Sequence, residues 1–194
     1  EDYFTSYADE GAAVGGDIWN GGDATPAKDN WGELNVKSNA ANTIDYANFY
    51  YGNTAVAVSL TGTAATIKDC IFENNDQGIA VYELASLTTE TNTFNLNTIP
   101  IQINPDVNTV SLGSGVGVDD ILGTVGAGKA NTYEAIGIGM TDNEASGCAA
   151  DLCKISQRTF AGITNIPYIL HSVTYYLKNT SDELEIDAGV IIRL

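Results

Sequence analysis

Apolar residues in the first half of the chain fall on every second position, in short bursts. Leu34-x-Val36, Val56-x-Val58, Ile79-x-Val81 and Ile101-x-Ile103 each alternate with small or polar residues. Period two is the signature of a strand, whose side chains point to opposite faces in turn. Between residues 31 and 110 no helical apolar stripe with capping residues appears. Asn, Gly, Thr and Asp separate the bursts and supply turns. The pattern predicts many short strands and no helix.

The bursts also recur at long range. Leu34, Val56, Ile79 and Ile101 are separated by 22, 23 and 22 residues, and Val36, Val58, Val81 and Ile103 repeat those steps. Thr43-Ile-Asp-Tyr-Ala-Asn-Phe49, Thr66-Ile-Lys-Asp-Cys-Ile-Phe72 and Thr88-Thr-Glu-Thr-Asn-Thr-Phe94 superpose with steps of 23 and 22. Phe49, Phe72 and Phe94 form one column; Ala47, Cys70 and Asn92 form another. The leucine-rich-repeat consensus is absent, and a propeller blade needs about twice the length. The period fits one coil of a right-handed parallel β-helix, with coils stacked about 4.8 Å apart and equivalent residues in ladders. Phe and aliphatic ladders would then fill the interior. An inward Asn92 requires its amide to be bonded, most simply to the backbone of a neighbouring coil. The chain is expected to hold seven or eight coils. Residues 3–7 and 135–140 read as further strands, 1–154 as coils with inserted loops, and 155–194 as a continuing or second, truncated module.

The repeats resemble a known group. Trp31-Gly-Glu-Leu-Asn-Val36, Asn42-Thr-Ile-Asp-Tyr-Ala47 and Phe72-Glu-Asn-Asn-Asp-Gln-Gly-Ile79 are similar to right-handed, pectate-lyase-like β-helix repeats of secreted bacterial surface proteins. Leu184-Glu-Ile-Asp-Ala-Gly-Val-Ile-Ile-Arg-Leu194 looks like the start of another such module. Ile166-Pro-Tyr-Ile-Leu170 and Val173-Thr-Tyr-Tyr-Leu177 resemble the strands that precede it. The resemblance implies a fold and an extracellular setting. It says little of function, because this architecture hosts lyases, adhesins, tail spikes and inert stalks.

Composition narrows the partners. The chain has 194 residues, 8 Lys and Arg against 25 Asp and Glu, and a formal net charge of −17. Eight scattered cations cannot form the basic stripe that nucleic acid requires, and an anionic membrane surface is disfavoured likewise. No long apolar run suggests membrane insertion. A hydrophobic fraction of 44% still permits a real core. Abrupt ends suggest a segment of a longer protein.

The candidate chemistry is limited. Segment 8–30 is rich in Gly and acids, and Asp9, Asp17, Asn20 and Asp23 are hard oxygen ligands that suit calcium. Its Asp17-Ile-Trp-Asn-Gly-Gly-Asp23 run looks like a degraded version of the Asp-rich loops of the resembling proteins, and a solvated acidic loop is the plainer alternative. Cys70 lies in an apolar-alternating run and reads as a buried small hydrophobe. Cys148 and Cys153 bracket Ala-Ala-Asp-Leu and suit a local disulfide in an oxidising compartment. The Gly-rich stretch 111–130 lacks the following helix that nucleotide binding needs. Asp45, Lys68 and Glu90 share one outward column, which a lyase could use for proton abstraction and which a solvated charge ladder also explains. Tyr46, Tyr50 and Tyr51, with Tyr82, would stand outside the coil and could stack on sugar faces. A threonine ice-binding face needs one Thr-x-Thr in register in every coil, and Thr61-Gly-Thr63 and Thr89-x-Thr91 do not recur. These features point to a non-catalytic, extracellular structural or adhesive segment without assigned catalytic residues. Its partners would be copies of itself or adjacent modules, and glycans. The alternative is a carbohydrate-binding or polysaccharide-cleaving β-helix protein.

Overall fold

The computed structural model describes residues 2–6, 9, 25–59, 62–82, 85–103, 109–112, 123–124, 128–138, 152–155, 167–170, 183–186 and 189–193. Their strands run, in chain order, as β1 (Asp2–Phe4), β2 (Trp31–Val36), β3 (Ala41–Asp45), β4 (Ala47–Tyr50), β5 (Gly52–Val58), β6 (Ala64–Lys68) and β7 (Ile71–Glu73). β8 (Gln77–Val81), β9 (Ser86–Glu90), β10 (Thr93–Asn95), β11 (Ile99–Ile103) and β12 (Thr109–Leu112) follow. Then come β13 (Gly123–Thr124), β14 (Lys129–Ala130), β15 (Ile136–Ile138), β16 (Leu152–Ile155), β17 (Tyr168–Leu170), β18 (Glu183–Ile186) and β19 (Ile192–Arg193). No helix occurs among the described residues.

Each turn of chain visits three faces. Sheet A has the order β1-β4-β7-β10, sheet B β19-β17-β15-β11-β8-β5-β2, and sheet C β12-β9-β6-β3. Every pairing within these sheets is parallel, so the chain is a β-solenoid of coils of about 23 residues and about four turns. β16 and β18 form a further parallel pair, and β13 with β14 is the one antiparallel pair described.

The expected columns are the observed register. Leu34 pairs Val56, Val56 pairs Ile79, and Ile79 pairs Ile101, with Val36, Val58, Val81 and Ile103 beside them. The register of sheet B continues from Ile101 and Ile103 to Ile136 and Ile138, and from these to Tyr168 and Leu170. The expectation of seven or eight coils is not met. Among the described residues sheet B holds seven strands, but sheets A and C hold four each. The cause lies in the spacing: after Ile101 the partners along sheet B are Ile136, Tyr168 and Ile192, steps of 35, 32 and 24 residues. The first two of these steps are longer than the coil of about 23 residues.

The interior is a set of ladders. Phe49 and Phe72 are fully buried and Phe94 nearly so. Their rings stack nearly parallel at 5.0 Å, and Phe4 adds a fourth ring 4.8 Å from Phe49. That distance is the strand spacing itself, so the sheet geometry places each ring in van der Waals contact with the next. Cys70 is buried in this core, as its apolar surroundings predict. Gly78 leaves room for the stack: a Cβ there would lie 2.5 Å from the Pro100 carbonyl and 2.9 Å from the Phe94 ring.

Single left-handed residues turn the corners. Between sheets C and A they are Tyr46, Asp69 and Thr91, with φ of 55°, 52° and 55°. Between sheets A and B they are Tyr51, Asn74 and Leu96, with φ of 65°, 61° and 56°. Such a conformation costs a non-glycine residue about 1–2 kcal/mol. Bonds to the next coil offset it: the N–H groups of Tyr46, Asp69, Asn74 and Leu96 donate to the carbonyls of Lys68, Glu90, Asn95 and Lys129.

Behind the second corner runs a column of buried asparagines. Asn75, Asn97 and Asn131 donate their Nδ2 groups to the Phe49, Phe72 and Phe94 carbonyls at 2.9–3.0 Å. Their Oδ1 atoms accept the N–H groups of Gly52, Asn75 and Asn97 one coil back. Asn92 acts alike at the first corner, accepting from the Cys70 N–H and donating to the Ile67 carbonyl.

Candidate binding surface

Alternation along sheet A fixes what its outer face displays. Phe4 and Phe49 point inward, so their neighbours Tyr3 and Tyr50 point out. β1 lies beside β4 with Tyr3 paired to Asn48. The Tyr3 and Tyr50 rings come to 6.4 Å with 16° between their planes. Tyr51 occupies the left-handed corner immediately after β4, and its ring lies 6.3 Å from that of Tyr50, tilted by 40°. Tyr50 thus links the other two rings, and the Trp31 indole Nε1 donates to the Tyr50 carbonyl at 2.6 Å.

Polar groups border these rings. Glu73 pairs with Tyr50 on the next rung and so shares its face. The Lys129 ammonium lies 3.1 Å from Glu73 Oε2, and Asn95 Nδ2 donates to the same oxygen at 3.4 Å. On the other side, Asp9 accepts the Thr5 hydroxyl at 2.6 Å, and its N–H donates to the Ser6 carbonyl. Burial, with the negative charges of Asp9 and Glu73 adding to it, holds the Tyr51 phenol above its ordinary value. Tyr51 is therefore a neutral donor across the physiological range.

The structure brings together two of the three predicted tyrosines and separates the third. Tyr50 and Tyr51 are neighbours. Tyr46 is 60% exposed but stands at the opposite end of β4, roughly 16 Å along the strand. Tyr3 takes its place. No signal in the linear sequence ties Tyr3 to Tyr50, because only the parallel pairing of β1 with β4 does so. Tyr82, also expected outside the coil, is half-buried, and burial raises its phenol pKa.

The other candidates are distributed as follows. Of the calcium set, Asp9 is described, while Asp17, Asn20 and Asp23 lie outside the described residues. Among the described residues no three His, Cys, Asp or Glu side chains are grouped as a metal site. Cys148 also lies outside them; Cys153 falls in β16, opposite Leu184 of β18. Asp45, Lys68 and Glu90 do share one column of sheet C, and Lys68 Nζ lies 2.9 Å from Asp45 Oδ2. Beside them Thr43, Thr66 and Thr88 form an in-register column on the same outer face.

Comparison with protein-family models, with curated proteins and with solved structures finds no match for this chain. The class that the fold defines is therefore the parallel β-solenoid, and the functional reading rests on the chain's own residues.

Proposed function

We propose that this chain is a non-catalytic structural or adhesive segment of a secreted, surface-displayed protein, a right-handed β-helix of the pectate-lyase-like kind. The observation that carries the reading is the axial continuity of its interior. Four phenylalanine rings at 4.8–5.0 Å and three linked asparagine amides repeat one set of contacts from coil to coil. Such a stack is stiff along its axis and displays outward side chains at a fixed pitch, which is the property of a stalk or scaffold. Right-handed winding follows the strong preference of parallel crossovers. The surplus of negative charge keeps exposed strands soluble.

Stacking also supplies a mode of assembly. Edge strands of a solenoid carry unpaired N–H and C=O groups that a further coil satisfies. β1, the edge of sheet A, is exposed at all three residues, and Phe4 at the end of the ring stack is 37% exposed. Sedimentation and electron microscopy of the chain should show end-to-end contacts between copies or with adjacent modules. A strictly monomeric particle with both ends covered would overturn the reading. So would the ultraviolet absorbance of an unsaturated uronate appearing in a polysaccharide panel, which would mark a lyase. Calcium in the 8–30 segment, held by Asp9, Asp17, Asn20 and Asp23, belongs to the same proposal. A chelator that leaves the melting temperature unchanged removes it.

A further inference from the structure

Sheet A sets a carboxylate, an amide and an amine on successive rungs. Glu73 pairs Asn95 in the register of β7 and β10. Asn131 takes the place of Asn97 in the asparagine ladder, so Lys129 stands one rung beyond Asn95. The Leu96 N–H donates to the Lys129 carbonyl, as that placement requires. We infer that Lys129 and Asn95 join in an intramolecular isopeptide bond, with Glu73 as the catalytic residue that moves the protons.

Glu73 and Lys129 are two rungs apart, about 10 Å along the axis. The Lys129 ammonium nevertheless donates to Glu73 Oε1 and Oε2 at 3.3 and 3.1 Å, so its side chain runs past the intervening Asn95. Asn95 Nδ2 donates to the same Oε2 at 3.4 Å. One carboxylate therefore touches both the nitrogen that attacks and the nitrogen that leaves. Asn95 is 5% exposed, which shields its amide from water, while Lys129 at 45% borders the solvent into which ammonia departs.

The step balances without an oxidant or a cofactor. Glu73 takes a proton from Lys129 Nζ, and the neutral amine attacks Asn95 Cγ to form the Nζ–Cγ bond. Glu73 returns that proton to Nδ2, the Cγ–Nδ2 bond breaks, and its electron pair leaves with ammonia. The surplus proton on Nζ passes to the ammonia, which departs as ammonium, and Glu73 is again a carboxylate. The reaction occurs once per chain, so fixed proximity suffices where fast turnover is not needed. The bond bridges the 34-residue step between the regular coils and the next one, where the period fails. It does not depend on the adhesive reading.

Intact-mass spectrometry tests it on the full chain, folded and held in mildly alkaline buffer. The chain should be, or become, lighter by one ammonia. Trypsin should no longer cut after Lys129, and fragmentation should place the link on Asn95. Lys129→Arg keeps a cation beside Glu73 but no reactive amine, and Glu73→Gln keeps an acceptor but no base. Both should stay at full mass with the parent's circular dichroism, and the linked parent should melt above Lys129→Arg. Lys129→Arg, at a half-exposed position, keeps the test open should Glu73→Gln fold poorly. The proposal is overturned by full mass in the folded parent or by a link to any residue other than Asn95. Ammonia loss that persists in Lys129→Arg also overturns it, since that marks succinimide formation at an asparagine. Linking that persists in folded Glu73→Gln overturns the role of the carboxylate.

Discussion

A buried amide is a liability in a core unless each of its atoms is bonded. Asn97 meets that condition through four contacts. Its Nδ2 donates to the Phe72 carbonyl at 2.9 Å and to Asn131 Oδ1 at 3.1 Å, while its Oδ1 accepts the backbone and side-chain N–H groups of Asn75, both at 3.0 Å. Asn97→Ala would strand donors on Asn75 and an acceptor on Phe72 inside the protein. The expected loss is about 3 kcal/mol in denaturant unfolding. Asn42 also donates to two carbonyls, but from an exposed edge of sheet C, where water replaces the lost bonds. Asn42→Ala should cost no more than about 0.5 kcal/mol. Equal losses at the two sites would refute the ladder's role. Titration tests two half-buried phenols. Tyr51 and Tyr82 are both pushed above the ordinary phenol value, chiefly by burial. The fold therefore favours the neutral phenols. Their stabilisation is fully present below the unfolded-state pKa and is lost as the pH climbs through the higher folded-state values. Unfolding midpoints should fall above about pH 10. Tyr51→Phe and Tyr82→Phe should flatten that fall, and an unchanged alkaline limb in both variants would exclude these residues as its source.

Sheets C and A, and sheets A and B, are joined by corners built on one left-handed residue, and each corner has a cost that its residue type sets. Thr91 is the least suited of the left-handed residues, because a β-branched side chain crowds its own backbone at a φ of 55°. Its hydroxyl donates to Asp69 Oδ1 at 2.5 Å, but both side chains face solvent, so that bond adds little. Thr91→Asn should stabilise the protein by about 0.5–1 kcal/mol, since asparagine tolerates the left-handed region. The same replacement at Thr88, exposed in the middle of β9, should have the opposite sign because asparagine is a poor strand former. Matching signs would show that the corner is not strained. The contrast also explains what could be read from sequence. The strands of sheets B and C and the Phe49, Phe72 and Phe94 column were legible because their steps are constant. The asparagine column left a fainter trace. Phe72-x-x-Asn75 and Phe94-x-x-Asn97 repeat at the same step of 22, yet asparagines between strands read first as turn formers. Asn131 broke the series with a step of 34, and Phe4 stands 45 residues before Phe49, so neither could be placed by period. Tyr3 and Lys129 joined the candidate surface for the same reason, by pairing and by contact across irregular segments. Nothing periodic marked them.

As a whole, the molecule is close to one-dimensional, for every coil touches chiefly the coil before and the coil after. Its stability should then depend on the number of complete coils more than on any single face. That has a consequence that few folds share: a whole coil can be removed. Asn75 and Asn97 occupy equivalent places, as do Phe72 and Phe94, Ile79 and Ile101, and Leu87 and Val110. Deleting residues 75–96 and joining Asn74 to Asn97 sets Phe72 before Asn97 at the native spacing and leaves every ladder one rung shorter. The left-handed corner at Asn74 is kept, and no side chain changes face. This 22-residue deletion should yield a soluble, cooperatively folded chain with the parent's strand-rich circular dichroism and a lower melting temperature. A deletion of residues 75–95, one residue shorter, puts Leu96 where Asn97 belongs. With side chains alternating at every residue, the shift turns inward groups outward along the joined coil. That chain should fail to fold cooperatively, although it retains more of the sequence. The comparison separates two explanations of the fold's stability. If total buried apolar surface governs it, the longer chain is the more stable; if register governs it, the shorter one is.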